Sequence, residues 1–401
     1  MTTGNERVRL IQEELQHAGL DALVTGLPTN VLLLSGYWPV VGTAVALVSR
    51  SGKVGLAAPE DERDLAEPAW ADELHFFGAD SLEDRGTALE LMHGALAKCL
   101  RIIEAGRWKV GLETGPITEP SPYAAFNLYG PSLGEAVRRA LPSVSLTPAA
   151  ESFARLRSVL TTGERRGVRV ACEVAGQAFD IGARALRAGM TEAEVAAGFR
   201  TPLSVGGIGR DGVRRADGFV ACMSGPNSSR AYGSYARSRS RSIAPGELLL
   251  VHCNSYVDGL WTDITRTYCL ATPSARQSQM YAAVLAARDA ALGSICPGVE
   301  AQAVDRAARD VLAARGFGDA FKHPTGHGVG FAAIDHNARP RLGPGSPDVL
   351  SAGMVCNIEP ALYLEDTGGL RHCDVVAVTE DGAELLTPFH ASLEELVLPL
   401  R

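Results

Sequence analysis

Several features that mark other classes of protein are missing from this chain of 401 residues. Basic residues are not in excess: 38 Lys and Arg face 46 Asp and Glu, which gives a formal net charge of −8. Nucleic-acid-binding proteins need a basic surface to meet phosphates, so we expect no nucleic-acid partner. No apolar run reaches the roughly 18–20 residues that span a bilayer, and the N-terminus shows no signal-peptide core. We therefore expect no membrane partner and a cytoplasmic location.

The eight cysteines are scattered and form no Cys-X-X-Cys pair. In a cytoplasmic chain they are expected to be reduced, and most of them to be buried as small apolar residues. With 46% hydrophobic residues, the composition is that of a globular protein and excludes wholesale disorder. The length predicts two or three domains.

The order of predicted elements changes near residue 150. Before it, helix patterns alternate with short apolar runs, which favours an α/β domain over 1–150. The predicted helices are 7–18 and 85–103, and the predicted strands are 22–24, 31–34, 43–48, 53–57 and 109–113. A cluster of Pro, Ser, Thr and Ala predicts a boundary there, and a second domain over 151–401 begins with long helices.

One segment of the second domain, 248–268, holds two ligand-type residues on a predicted hairpin. Asp258-Gly259 is a strong hairpin-turn signal between two β-rich runs. Folding about that turn brings His252 roughly opposite Asp263, so an imidazole and a carboxylate are expected on one face of the hairpin.

Three further segments are dense in residues that bind metals or protons. They contain His323 and His327 (323–330), Glu359 (354–360), and Arg371, His372, Cys373 and Asp374 (369–378). In the last segment, strand alternation places Arg371 and Cys373 on one face and His372 and Asp374 on the other. Taken alone, each of these residues is explained by an ordinary structural role.

Taken together and in this order, four motifs resemble those of the creatinase, Xaa-Pro aminopeptidase and methionine aminopeptidase superfamily. They are Asp-Ile-Thr-Arg-Thr at 263–267, Gly-His-Gly at 326–328, Ile-Glu-Pro at 358–360 and Gly-Leu-Arg at 369–371. Segments 20–36 and 151–193 also resemble the two-domain members. The resemblance implies an α/β N-terminal domain and a pita-bread α+β catalytic domain. It also implies a homodimer in which the partner's N-terminal domain helps to close the site.

The resemblance implies a ligand set from which this chain departs at two positions. In the metallopeptidase branch, two Asp, one His and two Glu bind two metal ions. The second Asp corresponds to Asp263, the His to His327 and the first Glu to Glu359. The first Asp corresponds to His252 and the last Glu to Cys373. Both replacements are residue types that bind metals, which favours a retained metal site over a lost one.

A neutral His and a thiolate do not replace bridging carboxylates, so we expect one divalent ion rather than two. Its ligands are predicted to be Asp263, His327 and Glu359, with His252 as an additional one. These donors suit Fe, Mn or Zn, and a thiolate from Cys373 favours Zn or Fe. The creatinase branch works without metal, through His and Glu, and this alternative stays open.

A second departure concerns a histidine that is catalytic in the superfamily. It follows soon after a Ser-Gly-Pro-Asn-like segment, but here 224–227 are followed by Tyr232, or by Tyr235 if three residues are inserted. Tyr has a pKa near 10 and is a poor base at neutral pH, which puts ordinary Xaa-Pro hydrolysis in question.

Other residues near these motifs are candidates for contact with the substrate. The resemblance implies that His323 and His336 touch the substrate carbonyl or stabilise an oxyanion. Arg371 is expected to bind a substrate carboxylate or to brace the ligands.

Three functions follow from these patterns. The first is a metal-dependent hydrolase that cuts a C–N bond in a small amino-acid-derived or dipeptide-like molecule. The second is a single-metal lyase or iron-dependent oxidative enzyme that acts on an amino-acid-derived metabolite. The third is a non-catalytic module that binds a peptide or a partner protein.

Overall fold

The computed structural model describes residues 3–40, 44–78, 88–102, 108–114, 131–232, 237–332 and 337–400. The chain divides into two compact units, Met1–Arg157 and Ser158–Arg401. The predicted boundary at 150 precedes the helix Ala150–Ser158, whereas this division falls at its end. Within the described ranges, no helix has both the length and the apolar character needed to cross a membrane.

The first unit is built around a mixed sheet of the strands β1–β6 in the order β4-β3-β2-β1-β5-β6. The strands are β1 (Ala22–Thr25), β2 (Val45–Ser49), β3 (Val54–Pro59), β4 (Glu73–Phe77), β5 (Lys109–Leu112) and β6 (Ser145–Pro148). The helices are α1 (Thr3–Ala18), α2 (Pro28–Ser35), α3 (Arg63–Ala66), α4 (Ala88–Cys99), α5 (Pro131–Ala140) and α6 (Ala150–Ser158). Buried side chains of β1, β2 and α4 form its core, and the predicted α/β class is confirmed.

One predicted strand in this unit is wrong. The apolar run 31–34 lies in the helix α2, which begins at Pro28 and ends at Ser35, and the next residue, Gly36, caps it with a left-handed φ of 75°. Pro favours the first turn of a helix and Gly its end, and these two signals outweigh the β character of a short apolar run.

The second unit opens with long helices and continues with sheets that carry the predicted site. Its helices are α7 (Thr162–Ala185), α8 (Glu192–Gly207), α9 (Ala275–Ser294), α10 (Ala301–Ala314) and α11 (Leu393–Leu396). Its strands are β7 (Ala216–Ser224), β8 (Leu248–Val257), β9 (Leu260–Trp261), β10 (Ile264–Leu270), β11 (Val355–Ile358), β12 (Ala361–Leu364), β13 (Gly368–Arg371), β14 (Asp374–Val378), β15 (Ala383–Leu385) and β16 (Val397–Leu398). One sheet has the order β16-β10-β8-β7, β11-β14-β15 form another, and β12-β13 pair by themselves.

The β8–β10 hairpin forms as predicted, but with a different register. Asp258 and Gly259 both have positive φ, 45° and 88°, as the tight turn requires. With these two residues at the tip, His252 pairs with Thr265 rather than with Asp263. The shift is two residues, and because side chains alternate with a period of two, Asp263 stays on the predicted face.

Isolated bridges connect this hairpin to the other predicted segments. Thr265 bridges Cys373, one of the two residues between β13 and β14, and Gly328 bridges Cys356 of β11. The segments predicted to carry ligands therefore meet beside β10.

Candidate metal centre

A buried donor group lies where these segments meet. It consists of Asp263 before β10, Glu359 after β11, and Cys373 between β13 and β14. One donor atom from each residue lies within 4.8 Å of the others. The Cys373 thiol donates to the Asp263 backbone oxygen at 3.2 Å and contacts its carboxylate Oδ1 at 3.5 Å. Two carboxylates and a thiol thus surround one small volume.

His327 adds an imidazole to this donor group. Its Nε2 lies 3.6 Å from Oδ2 of Asp263. Asn357 holds the segment in place, because its Oδ1 accepts from the His327 backbone N–H at 2.6 Å. Gly326 permits this approach, since a Cβ there would overlap the Asn357 carbonyl oxygen.

His252 lies beside the donor group, but its closest polar contact is elsewhere. Its Nδ1 is 3.0 Å from the Thr265 hydroxyl and 3.7 Å from Asp263 Oδ1. The Thr265 hydroxyl also accepts from Nε of Arg371 at 3.1 Å. The side chains of His252, Thr265 and Arg371 are therefore linked in a row by these two hydrogen bonds, beside the donor group.

The two carboxylates of the centre have opposite electrostatic environments. Burial opposes ionisation of Asp263, but the imidazoles of His252 and His327 and the Arg371 guanidinium outweigh it and hold its pKa below the usual range. Burial raises the pKa of Glu359 to about 7, because the Arg371 charge compensates only partly and Asp263 adds repulsion.

The other donors are perturbed in ways that matter for metal binding. Burial lowers the pKa of His327, but the Asp263 carboxylate overcomes this and raises it to about 9. Burial raises the pKa of the Cys373 thiol well above its ordinary value, and Asp263 and Glu359 add to that effect. Burial lowers the pKa of His252 to about 4, with the Arg371 charge acting in the same direction.

An aromatic and basic wall adjoins the donor group. Tyr363 in β12 is buried, and its hydroxyl lies 2.9 Å from Nε2 of His323. Tyr232 packs edge-on against Tyr363, with ring centroids 5.5 Å apart, and Lys322 lies 4.6 Å above the Tyr232 ring. Tyr232 is 45% exposed, so this wall reaches solvent.

Arg371 lies beside the donor group. Its NH1 lies 3.7 Å from Oε2 of Glu359, and its backbone N–H donates to Thr267 Oγ1 at 3.0 Å. Two further predicted residues, Tyr235 and His336, fall outside the described residues.

The residues on the opposite face of the same segment form a separate buried cluster. Asp374 accepts from Arg266 at 2.7 Å and also from Nε of Arg288, and His372 Nε2 lies 3.4 Å from Asp374. The predicted division between Arg371 with Cys373 and His372 with Asp374 is therefore seen in the contacts.

Sequence reasoning missed three residues that organise the centre: Thr265, Asn357 and Tyr363. The signal for the first two is their spacing. Thr265 stands two residues after Asp263, and Asn357 stands two residues before Glu359. Alternation along an extended segment places residues two apart on the same face, so a polar side chain there is a candidate to orient the ligand.

The donor set itself tests whether a divalent metal fits. Asp263, Glu359, Cys373 and His327 supply two carboxylates, a thiolate and an imidazole, which are ligands of Zn²⁺ and Fe²⁺. All four residues are buried; donor atoms of the first three lie within 4.8 Å of one another, and His327 approaches Asp263 to 3.6 Å. These residues fit such an ion.

Comparisons with known proteins point to one family. The model of metallopeptidase family M24 matches residues 166–380. An Xaa-Pro dipeptidase of Lactobacillus helveticus is 31% identical over 266 residues, which are 66% of this chain and 69% of that protein. An Xaa-Pro dipeptidase of Pyrococcus horikoshii is 26% identical over 96% of this chain and 97% of its own length.

A solved structure supports the same fold over the whole chain. The Xaa-Pro dipeptidase of Bacillus anthracis superposes with a TM-score of 0.79 at 23% identity, covering 98% of this chain and all of that one. The predicted architecture, an α/β domain followed by a pita-bread domain, is confirmed.

Proposed function

The chain belongs to metallopeptidase family M24, a family of hydrolases, and we propose that it is a peptidase of short peptides that uses one divalent ion. The predicted superfamily and the predicted enzyme class, a hydrolase, are confirmed by the family match and the related dipeptidases. The number of ions, their identity and the substrate are the proposal.

The buried donor group carries this proposal. Asp263, Glu359, Cys373 and His327 converge from four separate segments of the chain. Burying two ionised carboxylates and a thiolate together is unfavourable unless cations balance them, and Arg371 compensates only partly at Glu359. A divalent ion with four protein ligands of this kind provides that balance.

An ion at this centre supplies Lewis-acid catalysis: it activates water and polarises a carbonyl group. The chain's own residues do the remaining work. Glu359 has a pKa raised by burial to about 7, so in the metal-free centre it holds or releases a proton near neutral pH. Nδ1–H of His323 donates to the Pro324 carbonyl at 2.8 Å, so its Nε2 accepts from the Tyr363 hydroxyl at 2.9 Å, and this pair orders the wall next to the centre.

The substrate class follows from the relatives and from the wall next to the centre. The relatives named above are Xaa-Pro dipeptidases. Here the wall offers the ring of Tyr232 and the ammonium of Lys322, which suit a small side chain and a terminal carboxylate. We therefore propose dipeptide-like substrates. A homodimer remains a prediction of the resemblance.

The test compares Asp263→Asn with Glu365→Gln, a change at an exposed carboxylate in the turn between β12 and β13. Loss of a ligand carboxylate is expected to abolish bound metal and to lower the rate of dipeptide hydrolysis by about 10³-fold or more. The matched control should keep both properties.

The measurements are the metal content after dialysis against Zn²⁺ and turnover of a panel of dipeptides. Full metal content and full turnover in Asp263→Asn would contradict the assignment of the centre. Absence of dipeptide hydrolysis by the metal-loaded native chain would contradict the proposed substrate.

A further inference from the structure

The hydrogen bonds around Thr265 determine which nitrogen of His252 carries its proton. The Thr265 hydroxyl accepts a hydrogen bond from Nε of Arg371 at 3.1 Å. Arg has no acceptor atom, so the proton of the hydroxyl itself must go to another group. The other hydrogen-bond partner of this oxygen, among the described residues, is Nδ1 of His252 at 3.0 Å.

Thr265 is fully buried, so water cannot take this proton. A buried hydroxyl that donates to nothing is unfavourable, and buried polar groups are nearly always paired. The hydroxyl therefore donates to Nδ1 of His252. This makes Nδ1 an acceptor, and the ring proton of the neutral imidazole lies on Nε2.

Neither nitrogen of His252 is then free to bind a metal. The lone pair of Nδ1 is used by Thr265, and Nε2 carries a proton, whereas a ligand imidazole binds through an unprotonated nitrogen. Asp263 Oδ1 is 3.7 Å from Nδ1, too far to compete for it as a hydrogen-bond partner.

The donor group is also complete without His252. Asp263, Glu359 and Cys373 already place their donor atoms within 4.8 Å of one another, and His327 approaches Asp263 to 3.6 Å. Four protein ligands of these types satisfy a tetrahedral ion. The side chain of His252 remains more accessible than that of Asp263, 12% against 4% exposed.

We infer that His252 is not a metal ligand but a neutral imidazole that uses Nε2–H to donate a hydrogen bond to an oxygen of the substrate. Thr265 and Arg371 act as positioning residues that impose this tautomer. The identity of the oxygen, a peptide carbonyl, rests on the proposed function; the tautomer and the absence of a metal bond do not.

The direct test is long-range ¹H–¹⁵N correlation NMR of the Zn²⁺-loaded chain labelled with [¹⁵N]histidine, with His252→Gln used to assign the signal. The expected pattern is a protonated Nε2 and an unprotonated Nδ1 that is not bound to metal. A proton on Nδ1, or a metal-bound nitrogen, would overturn the inference.

Thr265→Val and Thr265→Ser distinguish the effect of the Thr265 hydroxyl on the His252 tautomer from the effect of its side-chain shape. The valine variant removes the donor and is expected to release the tautomer, so that both forms of His252 are populated, whereas the serine variant keeps the native pattern. An unchanged tautomer in a folded valine variant, judged by its thermal midpoint, would contradict the positioning role.

Metal binding and turnover test the role of Nε2–H. His252→Phe is expected to retain one equivalent of Zn²⁺ in equilibrium dialysis but to lose about 10²-fold in kcat, the usual effect of removing an oxyanion donor. His252→Gln restores an N–H donor and should recover part of that loss. Loss of bound Zn²⁺ from both variants would show that His252 is a ligand. Failure of dipeptides as substrates would leave the NMR and Zn²⁺ results standing, so the two failures are distinguishable.

Discussion

Two buried clusters of charged residues lie on opposite faces of the segment 371–374, and their negative charges are balanced in different ways. Asp374 is paired with the guanidinium groups of both Arg266 and Arg288. On the other face, Glu359 has one guanidinium, that of Arg371, at 3.7 Å.

The pKa values follow this difference. Burial opposes ionisation of Asp374, but the arginines and His372 outweigh it and hold its pKa well below the usual range. Burial dominates at Glu359 and raises its pKa to about 7. The charges of the cluster around Asp374 are balanced by its own residues, whereas the cluster around Glu359 is stabilised by an added cation. Buried acidic residues in themselves do not indicate a metal site; a buried carboxyl group whose pKa stays raised because its nearest cation compensates only partly is the better indication.

The largest expected contrast is in the stability of the metal-free chain. Asp374→Asn leaves two buried guanidinium groups without a carboxylate and should lower the free energy of unfolding by about 3–5 kcal/mol. Glu359→Gln removes a carboxyl group whose ionised form is disfavoured by burial, which raises its pKa to about 7, so its effect should be about 1 kcal/mol or less. Urea denaturation in the presence of a chelator measures both. Equal losses would remove the distinction between the clusters.

The pH dependence of metal affinity should report which residues of the cluster around Glu359 bind the ion. His327, with a pKa of about 9, and the Cys373 thiol, with a raised pKa, are protonated at pH 7 in the metal-free chain and must lose their protons to bind the ion. Binding then releases about two protons from these residues and a fraction of one from Glu359, whose pKa is about 7, so the affinity for Zn²⁺ should fall at least about 100-fold when the pH is lowered by one unit.

Isothermal titration in buffers of different ionisation enthalpy counts the protons released. In Cys373→Ser the number should drop by about one, because the serine hydroxyl does not ionise on binding. Affinity that is independent of pH between about 6 and 8 would exclude these ligands.

The smallest expected effect is on kcat/KM, for a change at Tyr232 in the aromatic and basic wall beside the centre. The contacts of Tyr232 within the described chain are made through its ring, with Tyr363 and with Lys322. Tyr232→Phe keeps these contacts and should change kcat/KM by less than about threefold, whereas Tyr232→Ala should raise KM about tenfold. A general acid or base contributes about 10²–10⁴-fold, so a loss of that size in Tyr232→Phe would instead assign the hydroxyl a catalytic role.

The sequence predicted part of this arrangement. The resemblance of short motifs to a known superfamily named Asp263, His327, Glu359 and Cys373 as ligands, which stays a prediction, and the structure brings these side chains close together. Strand alternation separated Arg371 and Cys373 from His372 and Asp374, and the contacts show the same division. These features depend on local order along one segment, which sequence periodicity records directly.

The features that were missed depend on contacts between segments. The pairing of His252 with Thr265 is an exception, because it follows from the predicted Asp258-Gly259 tip, and the expected partner Asp263 was two residues out of register with that tip. The role of Asn357 as the acceptor for the His327 backbone depends on an approach between strands that Gly326 permits. No pattern within a single segment specifies such contacts.

The most direct test of the account is titration of the metal-free chain with Co²⁺, monitored by absorption, with Cys373→Ser as the control. We expect one equivalent to bind and to give a thiolate-to-cobalt charge-transfer band in the near ultraviolet, which is missing from the serine variant. Saturation at two equivalents, or one bound ion with no thiolate band, would contradict a single centre formed by Asp263, His327, Glu359 and Cys373.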